Sequence, residues 1–321
     1  MTVSVVGASG FVGSHVAARL EASGHRVIRL PAPRITSTRE GASTAWRNSP
    51  ALVEALADAV AGSGALVNCA GLPDASAGES PMLFGANAAL PGILVAAAEV
   101  AHIPRFVHVS SAVVQGGKAV LDTSAPSAAH SPYALSKSLG ERTVHAPPQH
   151  NTLRVCYRPP SVHAPSRRIT RSLFWIANSP LSTVVAPGDR PTPQAHIENV
   201  ADAIAFLSTT TTPPPSTVVH PYEGWTTASF LTMLASGRPP RRIPEVLATP
   251  IDRMLRLAAR SPSLAPNARR LHMLWFGQKQ APSWLTEHSW KPPAGPDAWT
   301  QMVVALATTR PTSPPKNKDS S

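Results

Sequence analysis

The sequence predicts an α/β fold: a doubly wound parallel sheet, as one large domain or with a smaller C-terminal lobe. An apolar run, Val3 to Val6, feeds straight into Gly7-Ala8-Ser9-Gly10-Phe11-Val12-Gly13. The helix that follows places Val12, Val16 and Leu20 four residues apart, on one face. Short apolar strands then alternate with helices as far as residue 110, the rhythm of crossover units in a parallel sheet. Prolines, 35 of 321 residues, crowd the second half and mark a change to extended connections.

Taken in order, a strand ends at the glycine turn. There glycine permits a tight turn and the helix N-terminus offers N–H groups and partial positive charge to a pyrophosphate. Arg26 to Leu30 reads as the second strand, Ala51 to Ala61 as a helix, and Ala65 to Gly71 as the third strand. Ala86 to Ala101 is an alanine-rich helix with Pro91 in its first turn, and Arg105 to Ser111 is the next strand. Gly7, Gly71 and Ser111 all stand at carboxyl ends of strands, where ligands bind on such sheets. Further on, Thr152 to Tyr157 reads as a strand and His196 to Leu207 as a helix. Thr249-Pro250-Ile251-Asp252 has the form of a helix start. Its apolar stripe, Ile251, Met254, Leu255 and Ala258, with Arg253, Arg256 and Arg260 largely off it, is expected to pack on its own domain, a membrane-resting basic amphipathic helix being the alternative. Trp275-Phe276 reads as core, and residues 308–321 as a disordered tail.

The net charge of +11 is uneven: +1 over residues 1–150, +3 over 151–220 and +7 over 221–321. With aromatics at 5% and no basic stripe interleaved with them, nucleic acid is not an expected partner. Cys69 and Cys156 lie in apolar runs and read as buried thiols, not a disulfide or a metal framework. There is no room for a signal peptide before Gly7 and no run of ~18 apolar residues. A cytoplasmic protein without membrane contact is expected.

Tyr133 and Lys137 are four apart, so a helix sets them on one face. A tyrosine titrating near ~10 is a poor acid–base group, and a neighbouring ammonium brings it towards neutrality. Such a pair suits proton transfer to a carbonyl oxygen while hydride moves to or from a nicotinamide, with Ser111 placed to hold the same oxygen.

These segments resemble the extended short-chain dehydrogenase/reductase superfamily, in its NAD-dependent epimerase/dehydratase family. The resemblance rests on Val5 to Gly13, Asn68-Cys69-Ala70-Gly71, Asn87, Phe106 to Gly116, Ser131 to Lys137 with Gly140-Glu141, Arg158-Pro159, His196 to Asp202 and Ser289-Trp290-Lys291-Pro292. It covers about residues 1–300 and implies a Rossmann-like domain over 1–157 and a substrate lobe over 158–307, part of which returns to the first domain. It also implies catalysis by Ser111, Tyr133 and Lys137. The implied cofactor contacts are Gly7, Ser9, Gly10, Phe11, Val12, Gly13, Ala70, Gly71, Asn87, Pro159, Tyr133 and Lys137.

Departures from the family pattern sharpen the expectation. Pro31 stands where NAD-preferring members end the second strand with a carboxylate, and Arg29 and Arg34 flank it. Arginine pairs with a 2′-phosphate, so the sequence leans to NADP, with NAD as the alternative. The acidic residue after the third strand is missing, so adenine is expected to be held differently. Ala112-Val113 replace the acidic pair of dehydratases, which argues against dehydration, and Gln115 replaces a frequent tyrosine. The leading expectation is a reductase or dehydrogenase for a carbonyl/secondary-alcohol pair on a small molecule. The competing readings are a nucleotide-sugar epimerase that retains NAD, a steroid-type hydroxy-dehydrogenase and a non-catalytic dinucleotide sensor. A homodimer is expected from small apolar faces on helices 86–101 and 133 onward, together with the family resemblance.

Overall fold

The computed structural model describes residues 1–73, 78–126, 131–258 and 265–308. The Rossmann-like half runs β1 (Thr2–Val6), α1 (Phe11–Ala22), β2 (Arg26–Leu30), α2 (Pro50–Val60), β3 (Ala65–Asn68), α3 (Pro81–Phe84), α4 (Leu90–Val100) and β4 (Arg105–Val109). After the short β5 (Val120–Leu121) come α5 (Pro132–Val144) and β6 (Leu153–Arg158). The chain then passes through β7 (Ser161–His163), α6 (Arg168–Ala177), β8 (Thr183–Val185), β9 (Gln194–His196) and α7 (Ile197–Thr209) before β10 (Thr217–Val219). The order in the sheet is β10-β6-β4-β3-β1-β2, every pair parallel. Valines of β1, β3 and β4 are buried between α1 with α7 on one face and α2 with α4 on the other. Val6 lies opposite Leu30 and Asn68, and Asn68 opposite His108, so the strand ends are level and their loops leave one edge together.

The helix expected at 86–101 begins earlier. Ser80 caps it, its Oγ accepting from Leu83 N at 3.2 Å, and α3 continues through a π-helical segment, Gly85–Ala89, into α4. Pro91 therefore sits inside a long helix, and the wider π turn accommodates its missing N–H. Gly85 lies so close to Ile35 that an added Cβ would stand 2.0 Å from that residue's carbonyl oxygen. By length and composition the combined helix could cross a membrane, but it is mostly buried inside the protein as a core helix. Leu90 to Ala98 are all buried within the chain, between α2 and α5. The small apolar face of this helix, one of the two on which the homodimer expectation rests, is thus covered within the chain.

The C-terminal lobe adds α8 (Thr227–Leu234), β11 (Arg241–Ile243), α9 (Glu245–Ala258), α10 (Ala265–Phe276), β12 (Lys279–Gln280), α11 (Trp284–Glu287) and α12 (Pro296–Thr308). Its core gathers Leu173, Phe230, Leu231, Leu234, Trp299 and Met302. Trp275 is core, packed with Val185 and Ala248, its indole N–H donating to Thr183 Oγ1 at 3.1 Å.

α9 departs from its expected start at Thr249. It opens at Glu245, with Pro244 O accepting from Leu247 N and Ala248 N, and carries Pro250 inside. The carbonyl that Pro250 cannot serve belongs to Val246, an exposed residue that water reaches. The expected packing of its apolar stripe is also corrected, since Ile251 and Met254 face solvent. The expected tail beyond Thr308, and Arg260, lie outside the described residues.

Candidate active site

The glycine turn is built by close approach. Gly7 has φ +78° and donates its N–H to Leu30 O at 2.9 Å, locking the turn to β2. A Cβ on Gly7 would stand 2.8 Å from Ala70 N, and one on Gly13 would stand 2.1 Å from Gly7 O. Only glycine fits either place. Gly10 caps α1 without a side-chain hydrogen bond, and the first turn carries no acidic residue. The first N–H groups of α1, on Phe11, Val12 and Gly13, have no partner within the helix and stand beside the exposed Ser9. This cradle fits the pyrophosphate of a dinucleotide.

Across the crevice, the loop after β3 is held by two buried amides. Asn68 Oδ1 accepts from Ala70 N at 3.0 Å, while its Nδ2 donates to His108 at 3.1 Å. Asn87 accepts from Leu72 N at 2.9 Å and donates to Leu72 O and Ser136 Oγ, both at 3.0 Å. Its carboxamide is thus spent inside the protein, so the expected cofactor contact is corrected: Asn87 shapes the loop that carries Gly71. A Cβ on Gly71 would lie 2.8 Å from Asn87 Oδ1 and 3.3 Å from Lys137 Nζ. Pro159 likewise acts through its backbone, its carbonyl accepting from Ala112 N at 2.9 Å and tying the end of β6 to the Ser111 turn.

α5 starts at Ser131, whose Oγ accepts from Ala134 N at 3.1 Å, with Pro132 in the first turn. That start sets Tyr133, half-buried, and Lys137, buried, one turn apart on one face of α5. Ser111 lies close enough to act on the Tyr133 phenol, and its Oγ accepts from Val113 N at 3.3 Å. Burial holds the Tyr133 phenol above its ordinary value, and the Arg167 guanidinium and Ser111 act against that rise.

The sequence assigned the tuning of Tyr133 to Lys137. In the structure the Arg167 guanidinium is the cation that acts on the phenol, while the Lys137 ammonium donates to Val109 O at 3.0 Å. Arg167 stands over the Phe11 ring, 4.4 Å from its centre, and its buried Nε has no hydrogen-bond partner among the described residues. Sequence reasoning missed it. The available signal was Arg167-Arg168 at the start of α6, the helix end that disfavours cations.

Burial lowers the Lys137 ammonium from 10.5 to about 8. The unfolded chain then holds more protons between those two values, so this group's contribution to stability rises with pH through that window. At pH 7 the buried ammonium is a cost. Lys137→Met keeps the length without the charge and is expected to stabilise the ligand-free protein by about 1–3 kcal/mol at pH 7. The advantage should shrink towards pH 10.5. Thermal melts of both proteins across this range test it, and an unchanged or lower melting temperature at pH 7 contradicts it.

The two arginines expected near the adenosine ribose part company. Arg29 is held by Glu21 at 2.9 and 3.2 Å, in the last turn of α1 and at the helix end remote from the glycine turn. It is withdrawn from the crevice, a correction to its expected cofactor contact. Arg34 is exposed on the loop after β2, with no hydrogen-bond or ion-pair partner among the described residues. Gln115 is buried beneath the site, its Nε2 donating to Asp122 Oδ1 at 2.6 Å and its Oε1 accepting from Asp122 N at 2.8 Å. Cys69 and Cys156 are free thiols, and burial pushes Cys69 up to about 12.

Residues 3–219 match the model of the NAD-dependent epimerase/dehydratase family. The chain belongs to that family. Solved structures with the same fold include the UDP-glucose 4-epimerase of Thermus thermophilus complexed with NAD. It is 20% identical with a TM-score of 0.62, over 97% of this chain and 100% of that one. TunA, an NAD-dependent NDP-hexosamine 5,6-dehydratase of tunicamycin biosynthesis, is 17% identical with a TM-score of 0.64, over 96% and 98%. The dTDP-4-dehydrorhamnose reductase of Bacillus anthracis, complexed with NADP, is 13% identical with a TM-score of 0.60, over 94% and 98%. No curated protein sequence matches the chain. At these identities the family member's chemistry must be argued from its own residues.

Proposed function

We propose that this family member is a dinucleotide-dependent reductase or dehydrogenase that interconverts a carbonyl and a secondary alcohol on a small molecule. The observation that carries the reading is the gathering of Ser111, Tyr133 and Lys137 beside the glycine-lined strand ends: Ser111 acts on the Tyr133 phenol, and a Cβ on Gly71 would lie 3.3 Å from Lys137 Nζ. Gly7, Gly10 and Gly13 would hold the pyrophosphate, and Lys137 would meet the nicotinamide ribose. A bound nicotinamide supplies or accepts the hydride. In the reductive direction Tyr133 gives its proton to the substrate oxygen, Ser111 orients that oxygen, and Arg167 eases the loss of the proton. Ala112 and Val113, where an acid would be needed to eliminate water, support reduction over dehydration.

One observation favours a second reading, a nucleotide-sugar epimerase with retained NAD. Arg29 is engaged by Glu21, so the lean to NADP rests on Arg34 alone. Native mass spectrometry of the purified protein separates the two. Co-purified NAD that does not exchange supports the epimerase. An exchangeable dinucleotide with NADPH oxidation on a panel of carbonyl compounds supports the reductase.

Arg34→Ala bears on the same choice. If Arg34 pairs with a 2′-phosphate, losing that charge-assisted bond weakens NADPH binding about ten- to a hundredfold and leaves NADH binding nearly unchanged. Fluorescence titration of both dinucleotides measures the ratio. Equal affinity of the wild type for both removes the basis for an NADP enzyme.

A further inference from the structure

α9 is docked by one side and bare on the other. Ala248 packs against Val185 and Trp275, and Asp252 is buried against His272 of α10 at 3.0 Å. Val246, Leu247, Ile251, Met254 and Leu257 are 41–77% exposed. Leu247, Ile251, Met254 and Leu257, at steps of four, three and three, form one aliphatic stripe, with Val246 at its edge. A row of this kind on a folded domain marks an interaction surface.

The segment around the stripe is basic, although Arg242 lines a cavity together with Asp189. Arg253 on α9 is exposed, as are Arg241 and Arg242 on the strand that leads into it. Neither acid of α9 offsets them: Glu245 is engaged by Arg190 at 2.6 Å, and Asp252 faces inward. The segment 221–321 carries +7 of the net +11.

We propose that α9 lies in the interface of an anionic lipid membrane, with the aliphatic stripe at the acyl boundary and the nearby arginines on lipid phosphates. At 14 residues, about 21 Å long, the helix is too short to span and suits a surface-lying pose. The charge pattern favours lipid over a second copy of this chain. A twofold pairing through α9 brings one basic segment near its copy on two molecules of the same net charge. The inference does not depend on which dinucleotide or substrate the crevice takes.

Flotation of the full-length protein with vesicles of phosphatidylcholine, alone or mixed with phosphatidylglycerol, tests this. The protein is expected to float with the anionic vesicles only, and less so as salt rises. The variant Leu247→Glu/Ile251→Glu/Met254→Glu is expected to lose at least about tenfold in vesicle affinity. Its melting temperature should be unchanged, since all three side chains are exposed. Arg241→Ala/Arg242→Ala is expected to weaken binding while keeping the fold. Absence of flotation, equal binding to neutral vesicles, or full binding by the triple variant overturns the proposal. So does a wild-type dimer that the triple variant dissociates, with no vesicle binding, since a second copy then owns the face.

Discussion

Tyr133→Phe is expected to lower turnover on a confirmed carbonyl substrate by ~10²–10⁴, the usual cost of losing a positioned general acid. The ring and its packing stay, while the proton that the alkoxide must receive is gone. Dinucleotide affinity should barely change, because the phenol is not part of the glycine cradle. Lys137→Ala should damage turnover and dinucleotide binding together, and Ser111→Ala should be milder, removing one hydrogen bond to the oxygen. Arg167→Gln separates the tuning of the phenol from the proton transfer itself. Without that cation Tyr133 titrates higher, so the limb of the alcohol-oxidation profile that requires the phenolate should move to higher pH. Steady-state kinetics of the four variants with one substrate decides these points. Near-full turnover by Tyr133→Phe would transfer preference to the non-catalytic dinucleotide sensor.

Much of the sheet and the crevice was legible because local signals and tertiary structure agree there. The Val3 to Val6 run, the Gly7–Gly13 spacing and the Tyr133–Lys137 step each depend on residues near in sequence. What failed depends on partners far away. Arg29 flanks the expected ribose position, yet Glu21, eight residues earlier, captures it from α1. Asn87 matches a family position, but its hydrogen bonds run to Leu72 and Ser136, fifteen and forty-nine residues off. Pro91 looked like a helix start because a π-helical segment, formed where Gly85 meets Ile35, has no sequence period of its own. The same holds for Thr249-Pro250, where local capping chemistry was right in form but Pro244 opens the helix first. Arg167 was invisible as a site residue until the lobe folded over Phe11.

The largest effect on stability is expected from the ion pair beneath Ser111. Arg158 and Glu141 are almost fully buried and joined twice, Nε to Oε1 at 2.8 Å and Nη2 to Oε2 at 2.6 Å. Ser110 Oγ donates to the same carboxylate at 2.6 Å, and Arg158 Nη1 donates to the carbonyls of Asp122 and Ser124 at 3.0 and 2.8 Å. One guanidinium thus connects β6, α5 and the loop that Gln115 also grips, with Ser111 next in line after Ser110. Arg158→Met leaves the Glu141 charge buried without its partner, and Glu141→Leu does the same to Arg158. Each is expected to cost about 3–5 kcal/mol, because an uncompensated buried charge loses its pairing while its desolvation remains. The double variant should lose far less than the two together, since neither charge is then left alone. Urea unfolding of the four proteins completes the cycle. A change below about 1 kcal/mol for Arg158→Met would mean that water reaches the pair and the loop does not depend on it.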